Sequence, residues 1–403
     1  MNRARKNPIS NPAGPDDGLQ KGGRELRIMV AGAGTGGHLF PGIAVVERLA
    51  ALMTNVRPCF VTTGRPIEKT VLAGRHYETR PISAAGMKGI SIRGKMRSMG
   101  LLARGLLEAR AMLTDFRPHL VLGMGGYSSA PVIIAAWMMG IPRVIHEQNR
   151  IPGITNRLLG RFSDRVHVSF PDTKIPGSGN KIRYSGYPVR PEIGKADKKE
   201  RSPEAPLTII VLGGSQGARS INRTVAAALD LLDNIDHFAF IHQAGVEDEV
   251  FVRTAYEKKQ AEARVSAFFE DMADVYRQAD MAISRAGAGT LAELAAARVP
   301  AILVPYPHAA DNHQAANAEG MAEAGGARIL MEADMTPEAL ATLLNHYRLA
   351  PDALERMRVN IEKQFAGRDA AGEMAEDILE LTGFSRERED LDVMAPITGP
   401  GRG

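Results

Sequence analysis

Two glycine-rich stretches, Gly32-Ala-Gly-Thr-Gly-Gly-His38 and Gly213-Gly-Ser-Gln-Gly217, each follow a short apolar run and precede a helix-forming one. Glycines at such a bend let the backbone approach a phosphate, and the helix start behind them presents free N–H groups to it. Leu26 to Ala31 leads into the first loop and Leu207 to Leu212 into the second. Further strands are expected at Cys59–Thr63, His119–Gly123, Arg143–His146 and Arg165–Ser169 in the first half. In the second half they are expected at Phe238–His242, Met281–Ser284 and Ala301–Pro305. Helical stretches at Pro41–Leu52, Pro131–Met139 and Ser220–Leu232 alternate with them, with Pro41 read as a first-turn residue. This alternation specifies parallel sheets covered on both faces, an α/β fold repeated twice.

A chain of 403 residues exceeds one core, which agrees with two domains. The expected division is a disordered extension over 1–24, an N-terminal domain over 25–189 and a C-terminal domain over 190–367. A helix over 368–384 then returns to the N-terminal domain, and a disordered tail follows over 385–403. The join falls near Tyr187-Pro-Val-Arg190, and the charged stretch Glu192–Pro206 reads as an exposed loop. With 44% apolar and 24% charged residues the composition is globular rather than disordered. The single cysteine, Cys59, excludes a disulfide framework and a cysteine metal site, and cytosolic residence fits. No apolar run is long enough to span a membrane, and the first 23 residues lack the apolar core of a secretory signal.

Gly32-x-Gly34-x-x-Gly37 formally matches the dinucleotide fingerprint, which needs an acid at the end of the second strand. Phe60-Val-Thr-Thr-Gly-Arg65 supplies none there, although Arg65 suits a 2′-phosphate. A phosphate cradle, a bare tight turn and an NADP site therefore stay open. His38 follows the loop at a helix start, where the helix dipole disfavours its protonated form. It is a candidate base or a capping residue. The stretches Gly123 to Pro131, containing Tyr127, and His146-Glu-Gln-Asn149 end two further strands, on the edge where open α/β sheets bind ligands. Asn149 suits sugar hydroxyls or ordinary turn chemistry. In the second half, Ser284 to Glu293 is again strand, glycine turn and helix, with Thr290 and Glu293 placed in the first helical turn. Glu293 there serves either ribose hydroxyls or the helix dipole. His308 and His313 have no accompanying ligand set of metal-binding spacing, so no metal is assigned.

Taken in order, Gly34 to His38 with Pro41, Gly125 to Pro131, His146 to Asn149, Gly213 to Ala218 with Asn222, and Ala286 to Glu293 with Gln314 resemble the MurG family of bacterial N-acetylglucosaminyltransferases. The resemblance covers about Leu26 to Gly383. It implies a GT-B fold: two Rossmann-like domains facing a central cleft. It also implies inverting transfer of N-acetylglucosamine from UDP-N-acetylglucosamine to the C4 hydroxyl of undecaprenyl-diphosphate-N-acetylmuramoyl-pentapeptide (lipid I), without metal or cofactor. Carried over by position, Thr35, Gly36, Gly37, Asn149, Arg190, Ser215, Phe269, Ala288, Gly289, Thr290, Leu291, Glu293 and Gln314 would contact the donor, and Tyr127 and Gln216 are further substrate-binding positions, although the first loop, Gly32 to His38, reads chiefly as the acceptor-side anion site. Phe269 would act through its backbone on uracil, and His38 lies on the acceptor side. Many relatives carry Asn where this chain has Tyr187. The resemblance further implies a peripheral enzyme on the cytoplasmic face of the inner membrane. Cell-wall synthesis or division proteins are implied partners, and nucleic acid is not.

In Met87–Met112, the basic residues Lys88, Arg93, Lys95, Arg97 and Arg104 interleave with Ile90, Ile92, Met96, Met99, Leu101 and Leu102. The pattern fits an anionic phospholipid surface or a solvated amphipathic helix. Rival functions are another GT-B transferase or epimerase acting on a UDP-sugar, an NADP-dependent enzyme, and a non-catalytic nucleotide-binding module.

Overall fold

The structure, a computed structural model, describes residues 24–32, 34–83, 92–194, 202, 204–214, 217–365 and 368–387. Its first sheet contains β1 (Leu26–Ala31), β2 (Val56–Thr62), β3 (Glu78–Pro81), β4 (Leu120–Gly123), β5 (Arg143–Glu147), β6 (Arg165–Val168) and β7 (Ile182–Tyr184). The second contains β8 (Leu207–Leu212), β9 (Phe238–Gln243), β10 (Glu262–Ser266), β11 (Met281–Ser284), β12 (Ala301–Leu303) and β13 (Ala327–Ile329). The strand orders are β3-β2-β1-β4-β5-β6-β7 and β10-β9-β8-β11-β12-β13. Every pairing is parallel.

Parallel strands covered on both faces must be apolar on both faces, and these are. Ile28 and Val30 of β1 enter one core with Leu120 and Leu122 of β4. Met29 and Ala31 enter the opposite core with Val121 and Ile145. The second sheet divides the same way, with Ile209 and Val211 on one side and Ile210 and Leu212 on the other. Cys59 sits in β2, fully buried. Four strands were not anticipated from sequence: β3, β7, β10 and β13. They are the four sheet edges, and they carry Glu78, Arg80, Arg183, Glu262, Arg264 and Arg328. An edge strand has one neighbour and part of its length in solvent, so it shows no apolar run.

The first helix spans Gly36–Leu52, so Pro41 lies inside it rather than in its first turn. Thr35 occupies the N-cap position, and the glycines themselves form the opening turn. Pro41 lacks an N–H, so the carbonyl of Gly37 loses its partner four residues on. The join also differs from the expected exposed loop at its start. Pro191–Gly194 is a short helix, and its Ile193 is fully buried in the second domain.

The chain ends where it began. Helix Ala370–Thr382 packs on Gly36–Leu52, and Met374, Ala375, Ile378 and Leu379 complete the first domain's core. The described chain continues past the boundary placed at 385. Glu387 donates its N–H to Leu52 O at 3.0 Å and accepts from Thr54 N–H at 2.8 Å.

Ile378 has no solvent exposure. Truncating it to Ala is expected to cost about 2–5 kcal/mol. The loss should appear in the first domain alone. The only tryptophan, Trp137, lies in that domain, so its fluorescence in a denaturant titration should shift to lower midpoint. An unmoved midpoint would show that the returning helix is not part of that core.

Candidate active site

In an open parallel sheet, the connections leave in opposite directions on either side of one strand pair, and a crevice opens at the strand ends there. In the first sheet that pair is β1 and β4, followed by Gly32–Thr35 and Met124–Ser128. In the second it is β8 and β11, followed by Gly213–Ala218 and Arg285–Gly287. Both glycine loops therefore sit in the crevices of their own sheets. The second is as tight as a turn permits: a Cβ on Gly213 would lie 2.3 Å from Ala218 N. Ser215 and Gln216 lie outside the described residues.

On the first side, His38 stands in the opening turn with Nδ1 3.0 Å from Thr35 Oγ1. Burial pushes its pKa down to about 4, and the charge of His313 in the other domain adds to the shift. The imidazole is thus neutral around pH 7, and His313 is close enough to act on it electrostatically across the cleft. Arg65, the residue that suited a 2′-phosphate, instead donates to Gly34 O at 3.0 Å. The acid nearest the end of β2 is Glu68. Its carboxylate accepts from Thr63 N–H and Oγ1, Gly64 N–H and Arg65 N–H. An acid committed in this way is not available to a ribose, which counts against the dinucleotide reading.

Asn149 is organised by Glu147, whose Oε1 accepts from both its N–H and its Nδ2. Glu147 also takes bonds from Gly153 N–H and Asn156 Nδ2. Burial raises its pKa, and these donors oppose the rise. Tyr127 remains 45% exposed on the same side.

On the second side, helix Ala288–Ala296 begins after Gly287, with Ala288, Gly289 and Thr290 in its first turn. Glu293 sits one turn further in, which corrects its expected position and removes the dipole role. Its Oε1 accepts from Arg190 Nη2 at 3.2 Å and its Oε2 from Tyr276 Oη at 3.0 Å. Burial raises its pKa, while Arg190 and Tyr276 hold it down. Phe269 is buried, and its N–H donates to Gln243 Oε1 at 3.1 Å. Gln314 accepts from Tyr306 N–H at 2.9 Å and so fixes the loop after β12. His313 Nδ1 lies 2.7 Å from Ala310 O. Among the described residues no group of three or more His, Cys, Asp or Glu side chains is arranged to hold a metal.

The two sides are joined by a few polar contacts. Asn317 is completely buried. Its Oδ1 accepts from Arg150 N–H at 2.9 Å, and its Nδ2 donates to Asn149 Oδ1 at 3.1 Å and Ala286 O at 3.3 Å. One carboxamide thus ties the loop after β5 to the loop after β11. Arg150 adds a two-pronged pair to Glu323, at 3.0 and 3.3 Å. Arg190 lies over the Phe40 ring at 5.0 Å while pairing with Glu293, and Tyr187 Oη donates to Gly37 O at 3.1 Å. Behind this junction a cavity of about 630 Å³ separates the domains, lined by Phe170, Val189, Leu291, Met321 and Phe365 among others. Sequence reading missed Arg150, and noted Asn317 only as the end of a polar run after a buried strand, with no role. The one available signal was an amide residue inside an otherwise small-residue helical stretch, His313–Glu323.

Two family models match the chain. The glycosyltransferase family 28 N-terminal domain covers residues 28–168, and the glycosyltransferase family 28 C-terminal domain covers residues 208–373. A UDP-N-acetylglucosamine–N-acetylmuramyl-(pentapeptide) pyrophosphoryl-undecaprenol N-acetylglucosamine transferase of Myxococcus xanthus is 37% identical over 382 residues, 93% of this chain and 99% of its own. The protein of the same name from Citrifermentans bemidjiense is 40% identical over 348 residues, 86% of this chain and 97% of its own. The crystal structure of Acinetobacter baumannii MurG superposes with a TM-score of 0.70 at 31% identity, covering 88% of this chain and 99% of that one. Fold, crevice geometry and relatives converge: the chain is a GT-B glycosyltransferase of family 28 and belongs to its MurG branch, the N-acetylglucosaminyltransferases.

Proposed function

We infer that this cleft transfers N-acetylglucosamine from UDP-N-acetylglucosamine to the C4 hydroxyl of lipid I with inversion, releasing UDP and lipid II for peptidoglycan synthesis. The observation that carries the division of labour is His38: a neutral imidazole at one glycine loop, facing the second domain's loops across the cleft. Direct displacement at the anomeric carbon needs a base on the acceptor side and charge stabilisation on the leaving side. In the tautomer whose Nδ1–H donates to Thr35 Oγ1, Nε2 is the nitrogen that takes the acceptor hydroxyl's proton. Thr35, Gly36 and Gly37, at the start of helix Gly36–Leu52, face the acceptor's diphosphate.

On the donor side, Ala288, Gly289 and Thr290 present the free amides of a helix N-terminus to the UDP diphosphate, while Leu291 donates its N–H to Gly287 O at 3.0 Å and closes the turn. Fixed amides meet the departing charge without reorganising. Ser215 and Gln216 belong to the companion loop. Glu293 receives the ribose hydroxyls through the lone pairs that Arg190 and Tyr276 leave, since a carboxylate has about four acceptor sites. Phe269 reads uracil through its carbonyl, because its N–H is already donated. Asn149, Tyr127 and Gln314 line the sugar's path.

The acceptor is a membrane lipid, and no helix among the described residues is long and apolar enough to cross a membrane. A docking face is therefore part of the proposal. Leu107 on helix Ile92–Phe116, Trp137 and Met138 on helix Ser129–Met138, and Ile154 and Leu158 on helix Ile154–Leu159 are exposed apolar residues. These three helices pack in succession on the first domain, and exposed Arg104, Arg110 and Arg161 accompany them. Apolar groups rimmed by basic ones suit an anionic leaflet. Lys88 and Ile90 of the segment singled out in the sequence lie outside the described residues, as do the side chains of Ile92, Arg93, Lys95, Met96, Arg97, Met99 and Leu102.

Three outcomes are expected. His38→Ala should lower kcat about 10²- to 10⁴-fold, the range for a general base, with UDP-N-acetylglucosamine affinity unchanged. UDP release with purified lipid I measures this, and unchanged turnover would remove His38 from the mechanism. The imidazole stays neutral until pH falls through its folded pKa of about 4. The acid limb of kcat/KM should therefore lie well below the 6.5 of a free histidine, and a limb at 6.5 would contradict the buried geometry. Vesicles containing anionic phospholipid should shift Trp137 emission to the blue, and salt should reverse the shift. A response equal in neutral vesicles would exclude the basic rim.

A further inference from the structure

We propose that Tyr187 is a positioning residue that sets the distance between the acceptor-side and donor-side helix starts, and that residue 289 is glycine on its account. This rests on the assignment of Gly36–His38 to the acceptor and Ala288–Glu293 to the donor.

The first half of the argument is the Gly37 carbonyl. Its partner in an unbroken helix would be the N–H of residue 41, which is proline. Gly37 is exposed, so water can reach that carbonyl, but the fold supplies a fixed donor from another element. Tyr187 Oη donates to it at 3.1 Å. The phenol is well suited, because burial and Glu293 push its pKa upward and keep it protonated. Its ring stands edge-on to His146 with centroids 5.9 Å apart. His146 is itself neutral, its pKa pushed down to about 3 by burial, and its Nε2 lies 3.0 Å from Gly186 O and 3.2 Å from Ser169 Oγ. The backbone on which Tyr187 is mounted is thereby pinned to the end of β5.

The second half is Gly289. Glycine is a poor helix former, and this one lies within helix Ala288–Ala296. Its φ is not in the left-handed region, so backbone conformation does not require glycine. Space does. A Cβ at 289 would lie 2.8 Å from Tyr187 Oη and 3.3 Å from its Cζ. The phenol occupies the volume where alanine's methyl would stand. To make room, it could retreat into the cavity behind the junction only by giving up the Gly37 carbonyl. One side chain on the domain join therefore touches both catalytic helix starts. Arg190, three residues on, repeats the arrangement with Phe40 on one side and Glu293 on the other.

A double-mutant cycle on the full chain tests this, reading UDP-N-acetylglucosamine affinity by calorimetry and kcat and both KM values by UDP release. Gly289→Ala should lower kcat/KM for the donor about tenfold, the order produced by inserting one methyl group into filled space. In a Tyr187→Asn background the same change should cost less than about threefold, because the obstruction is gone. Tyr187→Phe keeps the ring and should lower kcat about tenfold as the tie between the domain join and the acceptor-side helix start is lost, with donor affinity within about twofold of the parent. Equal costs of Gly289→Ala in the two backgrounds overturn the proposal, as does an unchanged kcat in Tyr187→Phe. If Gly289→Ala alone does not fold, the double variant decides: folding and donor binding support the pairing, and failure of both sinks it. Failure of the functional assignment looks different, since the parent protein itself would then bind no UDP-N-acetylglucosamine.

Discussion

A parallel sheet buried on both faces can expose polar chemistry only at its carboxyl edge, and everything else here follows from having two such edges opposed. The side chains along β1, β4, β8 and β11 are consumed by the cores. What remains for function is the few residues after each strand, where glycines bring the backbone close and helix starts point their amides outward. A sugar transfer between two diphosphate-bearing substrates needs two anion cradles at a fixed separation. Each sheet forms one glycine turn and helix start unaided, but neither sheet fixes the separation that the proposed transfer needs. That falls to the contacts across the junction: the carboxamide of Asn317, the Arg150 pair, and the domain-join residues Tyr187 and Arg190. Behind them lies the cavity between the domains, lined by Phe170, Val189, Leu291, Met321 and Phe365 among others.

The electrostatics of the cleft follow the same economy. His38 and His146 are kept neutral by burial, and the carboxylates of Glu147 and Glu293 are surrounded by donors that oppose their desolvation. A reaction that moves a proton toward one domain and negative charge toward the other is best served by a site whose own groups carry little uncompensated charge beforehand. Glu293 shows the compromise. In the proposed reaction it meets a ribose, and it is also the anchor that Arg190 and Tyr276 share, so that reading makes donor recognition and domain orientation depend on one carboxylate.

How much of this was legible in the chain of residues depends on where each signal was written. The central strands were readable because both faces are buried, which leaves unbroken apolar runs such as Leu207–Leu212. The four edge strands were not, because their charged residues mask a strand that only its neighbour defines. The glycine loops were legible locally as strand-to-helix turns, which the structure places at the carboxyl edge of each sheet. The helix start at Gly36 was misplaced because Pro41 looks like a first-turn residue, and the carbonyl that its ring leaves unpaired finds a hydroxyl 150 positions along the chain. Glu293 was found but put one turn early. Asn317 and Arg150 carry no periodic or spacing signal at all, since their meaning lies in a contact between residues 167 apart along the chain.

The return of the last helix to the first domain has a consequence for biogenesis. Met374, Ile378, Leu379 and Phe384 belong to the core that also contains Leu26 and Ile28. A ribosome therefore releases the first domain incomplete, synthesises the whole second domain, and only then supplies the segment that closes the earlier core. The first domain made is the last one finished, and through much of translation it presents an open apolar groove along helix Gly36–Leu52. That groove stays open until the last described helix of the chain is made and packs into it.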